Sequence, residues 1–466
     1  MTDLINKAGG QTPGKPLAQT LAEHVVSIRT SDLPAVALER AAMSLASTVA
    51  SAAAGYHIDS ARIIRELSIA DGGAPQAAIW FDTARLPLAS AVRVNAVASD
   101  AAASDDSDLR SIAHIGTIIS TVALAVGEHV RASGREVLAA MVVGYELAGR
   151  IDEALTPGRM QRGFHGSVST VFGGCAAAGR LLGLDADRMT HAIALSATAI
   201  GGMAIAADTS CAREYHAGLS ASTGVQAALA ARAGFRGEPG VLELPRGFLS
   251  AMGAQAVDEI AQGWGESWDI VTDMAIKLMP GAHPFHATAE AAADAARAGR
   301  VRPQDIERIV ISAAVQWTHF KGDPHPRNLV DAAHSLFYFV AAAIVDDGFD
   351  WAHMTPAKMS DPVIAMLQDR IVFDPAPPPL PDRFPHRHGG TVSIHMKDGT
   401  IHRSTCTAPR GSGPRGVQWA DVESKFRHLF PLGGLPEEAI ETCFRHIREC
   451  GGTDAPLDLT PYLTAS

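Results

Sequence analysis

Residues 273–286 read DMAIKLMPGAHPFH, and the texture of the chain changes across them. Upstream, from Pro16 to about Gly265, apolar residues recur at helix spacing, as in Leu17, Leu21, Val25 and Ile28, or Leu33, Val36, Leu38, Ala42, Leu45 and Val49. Ser/Asp/Gly/Pro clusters such as ASGRE (132–136) and TPGRM (156–160) separate the runs. Downstream of Pro280, an Ala-rich helix over 287–298 precedes a β-branched run over 306–315 and a helix over 331–345. Two strands, 391–396 and 401–407, then flank a Lys397-Asp398-Gly399 turn. The pattern predicts a mainly α protein, with a large all-helical domain over 15–268 plus a smaller α+β domain over 269–405. Amphipathic helices at 421–429 and 436–448 fall in a C-terminal segment, 406–466. Residues 1–14 are expected to form a flexible tail, 77–81 a short strand, and PAPPPLPDRFP (375–385) a stiff surface connection. The longest apolar run, 191–208, is short for a bilayer and reads as a buried helix.

Composition narrows the function. The chain's 466 residues are enough for two to three domains, 47% are hydrophobic, which allows substantial cores, and only 6% are aromatic, which favours closely packed Ala/Gly-rich helices over a β-sandwich. A formal charge of −11 argues against nucleic-acid or anionic-membrane partners, which need a concentrated basic surface. Five scattered cysteines without a CxxC pair suggest neither a disulfide framework nor a zinc site. With an N-terminus that lacks a signal-peptide pattern, they point to a reducing cytoplasm. GxGxxG after a strand, GxxxxGK[ST] and GxSxG are all missing from the sequence, which removes the dinucleotide, NTP and serine-hydrolase readings. His283 with His286, or His386 with His388, lack a third ligand at diagnostic spacing, so no metal is expected.

Within 273–286, Lys277 sits among Met274, Ile276, Leu278 and Met279. An unpaired lysine is costly to bury, so this placement suggests a site that needs an ammonium or amine; a solvated surface lysine is the ordinary alternative. GYELAGR (144–150) places Tyr145 after a glycine and sets Glu146 and Arg150 four apart, a site pair or a surface ion pair. GFHGS (163–167) puts His165 just before a helix start, where exposed N–H groups favour an anion. CAREYHAG (211–218) adds Arg213 and His216.

Together these segments, with DAAHSLFYFVAAAI (331–344) and VESKFRHLF (422–430), resemble the MmgE/PrpD family in order and over nearly the whole chain. That family includes 2-methylcitrate dehydratases, cis-aconitate decarboxylases and an iminodisuccinate epimerase. The resemblance implies a cofactor-independent enzyme acting on a small polycarboxylate, an MmgE/PrpD-like fold whose C-terminal helices return to the first domain, and a homodimer.

It also implies roles. Lys277, Tyr145, His165 and His114 are expected to be catalytic, and Arg213, His216, Arg150, Asp105, Ser107 and His283 to bind substrate. Residues 95–114 depart from the family pattern, since Asp100 stands near a family histidine and Ala103 replaces an aspartate; in 211–218, Arg213 stands where a lysine is common. A solvated acidic loop capping the next helix is the other reading of 105–108. These departures, and similarity to the epimerising members, suggest inversion of the carbon α to a carboxylate in iminodisuccinate or a similar polycarboxylate, with Lys277 and Tyr145 as opposed bases. The alternatives are a lyase of the 2-methylcitrate dehydratase or cis-aconitate decarboxylase type, and a non-catalytic carboxylate-binding protein.

Overall fold

The computed structural model describes residues 14–464 except 199–200, 314–321, 379–382, 385–388 and 414. The expected tail, apart from Gly14, lies outside the described residues, as do His386, His388 and much of the Pro-rich connection.

Two hydrophobic cores organise the chain. The first gathers apolar residues from Ala18 to Ile276 and again from Val417 to Leu463. Its helices cross closely because small residues meet at the crossings. A Cβ on Gly144, in the helix Gly134–Leu155, would stand 2.7 Å from the Gly173 carbonyl oxygen of the helix Ser167–Leu181. On the other side of Ser167–Leu181, a Cβ on Gly224 of the helix Ala212–Arg232 would lie 2.7 Å from the Cys175 amide nitrogen. Such backbone approach is open only to glycine, and it explains the Ala/Gly-rich composition. Ser133 starts Gly134–Leu155 with a capping box to Glu136. The C-terminal helix Trp419–Leu429 returns to this core through Val422, Phe426 and Leu429.

The strands are short outside the second core. β1 (Ala77–Ala78) pairs with β2 (Arg85–Leu86), and β3 (Asp106–Asp108) pairs antiparallel with β4 (Met274–Ile276). The second core lies between the helices His286–Gly299 and Leu336–Val345 and a four-stranded sheet of β5 (Ile306–Ala313), β6 (Ile371–Phe373), β7 (Gly390–Met396) and β8 (Ile401–Cys406), in the order β6-β5-β7-β8. β5 runs parallel to β6 and antiparallel to β7. Val392, Ile394 and Met396 alternate inward along β7, as a sheet with one covered face requires. The β7–β8 turn has Gly399 at φ 87°, the left-handed conformation that the Asp-Gly pair supplies.

Three expectations need correction. Residues 331–345 are not one helix: Leu329–Ala333 ends at His334, and the Ser335 hydroxyl caps Leu336–Val345 by accepting from the Tyr338 amide. The run 191–208 is not one buried helix either. Ala186–Ser196 ends, Gly202 takes φ 101°, and a short helix, Ala204–Thr209, leaves Ile205 66% exposed. Residues 105–108 are not a solvated loop, because Asp105, Asp106 and Asp108 are buried and β3 pairs with the apolar β4. Among the described residues no helix is long and apolar enough to cross a membrane.

Candidate functional site

β3 and β4 come from segments far apart in sequence, and their register builds the site. Asp106 stands opposite Ile276, Ser107 opposite Ala275 and Asp108 opposite Met274. One step further, Asp105 meets Lys277, with Nζ 3.1 Å from Oδ1. Lys277 is 2% exposed, as its apolar sequence setting suggests, and Asp105 supplies the partner that makes this tolerable.

The ion network continues from there. His114, at the start of the helix Ile115–Val130, has Nδ1 2.6 Å from Asp105 and 2.9 Å from Asp100. Thr117 donates to Asp105 at 3.1 Å. Arg213 Nε donates to the Asp100 carboxylate at 2.8 Å, and its Nη2 to the Asp100 carbonyl at 2.7 Å. Ser107 and His283 Nδ1 share a hydrogen bond, while His283 Nε2 is buried and makes none among the described residues. His165 lies 5.9 Å from His114 by ring centroids, and its Nδ1 accepts from the Ser167 amide at 3.4 Å.

A cavity of about 440 Å³ opens on this network, walled by His114, His165, Arg213, Lys277, His283 and His334, with Arg159 and Asp208 at its edge. Residues of the first core and of the Gly281–Pro284 turn leading into the second both contribute. Arg159 is held by Asp152, at 2.8 Å through Nε, and by the Ser111 carbonyl.

Electrostatics assigns different states to neighbouring groups. Burial alone would raise the Asp105 carboxyl, but His114 and Lys277 outweigh it and hold it below its ordinary value. Burial opposes charge on His114, yet Asp105 and Asp100 raise its pKa, which favours an imidazolium. Burial and adjacent cations push His165 and His283 well below the usual histidine range, and His334 down to about 4, which leaves neutral bases. Burial pushes Asp208 up to about 7. Asp100, Asp105 and His114 also bring three ligand-type atoms within 4.8 Å of one another, but both carboxylates are already committed to Lys277 or Arg213.

Five expected residues thus meet at one cavity: Lys277, His114, His165, Arg213 and His283. The other five do not line it, for identifiable reasons. Asp105 and Ser107 are fully buried behind the wall, where they orient Lys277, His114 and His283. His216 faces a smaller neighbouring cavity of about 230 Å³ with Ser167 and Ser220, its ring 5.6 Å from His165. Arg150 is taken up by Glu146 at 2.5 Å and by the Gln262 and Gly263 carbonyls, the ion-pair reading of its helix spacing. Tyr145 is 0% exposed in the first core, its hydroxyl has no hydrogen-bond partner among the described residues, and burial, then Asp108 and Asp106, drives its pKa well above that of an ordinary phenol. So placed, the phenol lies away from the cavity wall and its ionisation is disfavoured.

Sequence reasoning missed His334, Arg159 and Asp208. The first had a usable signal, a histidine followed by serine in an otherwise apolar helical run, which marks a helix break.

The model of the MmgE/PrpD N-terminal domain matches residues 19–260 and that of the C-terminal domain residues 279–446, so the junction between them brackets Lys277. The cis-aconitate decarboxylase of Homo sapiens is 28% identical over 356 residues, covering 74% of this chain and 73% of its own. A cis-aconitate decarboxylase-like protein of Aspergillus oryzae is 24% identical over 446 residues, covering 90% and 91%. The cis-aconitate decarboxylase of Aspergillus terreus is 25% identical over 345 residues, covering 69% and 70%. The two family models change over between residues 260 and 279, near where the first core gives way to the second, although the C-terminal model also takes in helices that pack on the first core; on that match the chain belongs to the MmgE/PrpD family.

Proposed function

We propose that this chain is an enzyme that makes or breaks a bond at the carbon beside a carboxylate of a small polycarboxylate. The observation that carries the reading is the composition of the cavity wall: Lys277, Arg213 and an imidazolium at His114 stand beside neutral imidazoles at His165, His283 and His334. Negative charge that grows on a carbon conjugated to a carboxylate needs preorganised cations, and one well-aimed donor contributes roughly 3 to 4 kcal/mol to the transition state. The neutral imidazoles accept or return protons.

The relatives named above favour a lyase acting on a cis-aconitate-like acid. In that reaction a carbon–carboxylate bond breaks, CO2 leaves, and the electron pair stays on the substrate beside Lys277 and Arg213. An acid, His114 or Lys277, then delivers a proton to carbon. Arg213 supports a second reading. It stays charged at any working pH, so it binds where the family resemblance places an exchangeable lysine. With Arg213 reserved for binding, that second reading is proton exchange without loss of CO2, as in epimerisation of iminodisuccinate or a similar acid, with the two bases drawn from Lys277 and the wall imidazoles.

Incubation with cis-aconitate and with iminodisuccinate in D2O, followed by NMR, separates the readings. CO2 release with one deuterium in the product supports the lyase. Deuterium uptake with stereochemical inversion and no CO2 supports the epimerase. Saturable binding of both acids with neither outcome would sink the enzymatic reading and leave a carboxylate-binding protein.

A further inference from the structure

The helix Trp419–Leu429 buries Lys425 at 2% exposure in the first core. Its Nζ donates to Ser47 Oγ at 2.7 Å and to the Ser104 carbonyl. Ser104 precedes Asp105, so this contact grips the peptide that carries the carboxylate between Lys277 and His114. The Ser104 hydroxyl accepts from the Trp351 indole at 3.0 Å, and Trp351 packs on His428 of the same C-terminal helix, with ring centroids 5.5 Å apart. The adjacent Asp106 is also buried. One of its oxygens accepts from Ser44 at 2.5 Å, and the other has no hydrogen-bond partner among the described residues. Gly116 leaves the room for it, since a Cβ there would stand 1.8 Å from Asp106 Oδ2.

Among the described residues a hydroxyl and a carbonyl are the groups that bind this ammonium, and a buried ammonium so held is costly unless nearby anions balance it. The proton transfers proposed above make no use of it. We propose that Lys425 is a positioning residue: by holding the Ser104–Asp105 peptide and balancing Asp106, it keeps Asp105 where it bonds both Lys277 and His114. Among the described residues, the titratable groups facing it are Asp105 and Asp106 on the β3 segment, Lys277 after β4, and His286 at the start of His286–Gly299. The packed helix Ala35–Gly55 presents Ser44 and Ser47 at this level, while its Glu39 and Arg40 are bound to the Trp419 indole and the Val417 carbonyl. Burial lowers Lys425 to about 7, and Asp105 and Asp106 oppose that fall.

Lys425→Met alone leaves Asp106 unbalanced and risks unfolding, so the decisive protein is Lys425→Met/Asp106→Asn, which removes one charge of each sign. In this full-length variant the His114 imidazole is followed by ¹⁵N NMR and assigned by its loss in His114→Gln. It is expected to titrate at lower pH than in the parent protein, because its Asp105 partner has shifted. The turnover arm rests on the reading under Proposed function; there kcat is expected to fall about 100-fold, the scale of a misplacement near 1 Å, with KM little changed. An unchanged His114 titration, or turnover at the parent rate, overturns the proposal. The titration needs no substrate, so it decides the role of Lys425 even if no polycarboxylate is turned over, a result that would count against the functional reading instead.

Discussion

The two ends of the β3–β4 ribbon bury the same kinds of residue with opposite charge balance. At the Asp108 end, Arg110 is 2.8 Å from Asp108, 2.7 Å from Asp269, 2.9 Å from Glu153 and 3.5 Å from Asp273, so four carboxylates surround one cation. At the Asp105 end, two carboxylates, Asp100 and Asp105, are shared by Lys277, His114 and Arg213. The first cluster has anions to spare: burial, even against Arg110, raises Asp108 and drives Asp269 well up. The second has cations to spare, and it faces the cavity. Which charge is in excess, rather than burial or hydrogen bonding as such, separates the anchor from the proposed place for an anionic substrate.

The strongest way to break the comparison is to remove the central cation from each end. Lys277→Met is expected to lower turnover by about 100- to 10,000-fold while the folded fraction persists. Arg110→Met is expected to cost about 3 to 5 kcal/mol of stability, because it strands buried carboxylates, while protein that remains folded still turns over. Denaturant melts beside steady-state rates test both. Retained turnover in the first variant, or unchanged stability in the second, would erase the distinction.

A smaller effect is expected at Arg213. Arg213→Lys should raise KM about tenfold, the loss of one charge-assisted hydrogen bond, with a modest change in kcat. If the melting temperature collapses while surviving protein binds normally, Arg213 belongs with the anchors.

The cavity end should also govern acid stability. His165, His283 and His286 have folded pKa values well below the ordinary one, and His334 lies at about 4. Between the depressed folded value and the unfolded value of about 6.5 the unfolded chain binds more protons, so their stabilisation is present above about 6.5 and is lost as pH falls. His114, raised in the fold, runs the other way, and its contribution fades as pH rises through its folded value. The depressed set is the larger, so Tm is expected to fall between about pH 7 and about pH 5, with a shallower slope in His334→Gln. A flat profile over that range would contradict the neutral-imidazole wall.

The smallest effect is expected at Tyr145. Its hydroxyl is buried without a hydrogen-bond partner among the described residues, so Tyr145→Phe should change stability by less than about 1 kcal/mol and leave turnover intact. Loss of turnover would restore Tyr145 as one of two opposed bases.

Much of this was legible in residue order. The helix periods of the first core, the change after Pro280, and the Asp-Gly turn between β7 and β8 are local patterns, set by side chains within a few positions of one another. Lys277 was also legible as a candidate, because a lysine in an apolar segment is costly to bury without a purpose, whereas His165 and Arg213 became candidates through the family resemblance. Segments at 331–345 and 191–208 were misread because apolar continuity hides a break: only the Ser335 cap and the Gly202 conformation show where each helix stops.

Residue order by itself determined the helical layers, the second smaller core, and the acidic and cationic groups available to the candidate site. Only the tertiary structure decided which of those groups meet. The one-step continuation of β3–β4 pairing puts Asp105, and not Asp108, across from Lys277; helix packing turns Tyr145 inward and lets Glu146 take Arg150; and the returning C-terminal helix sets Lys425 behind Asp105. Such contacts join residues far apart in the chain, and their charges acquire meaning only through distance and burial, quantities that spacing along the sequence does not encode.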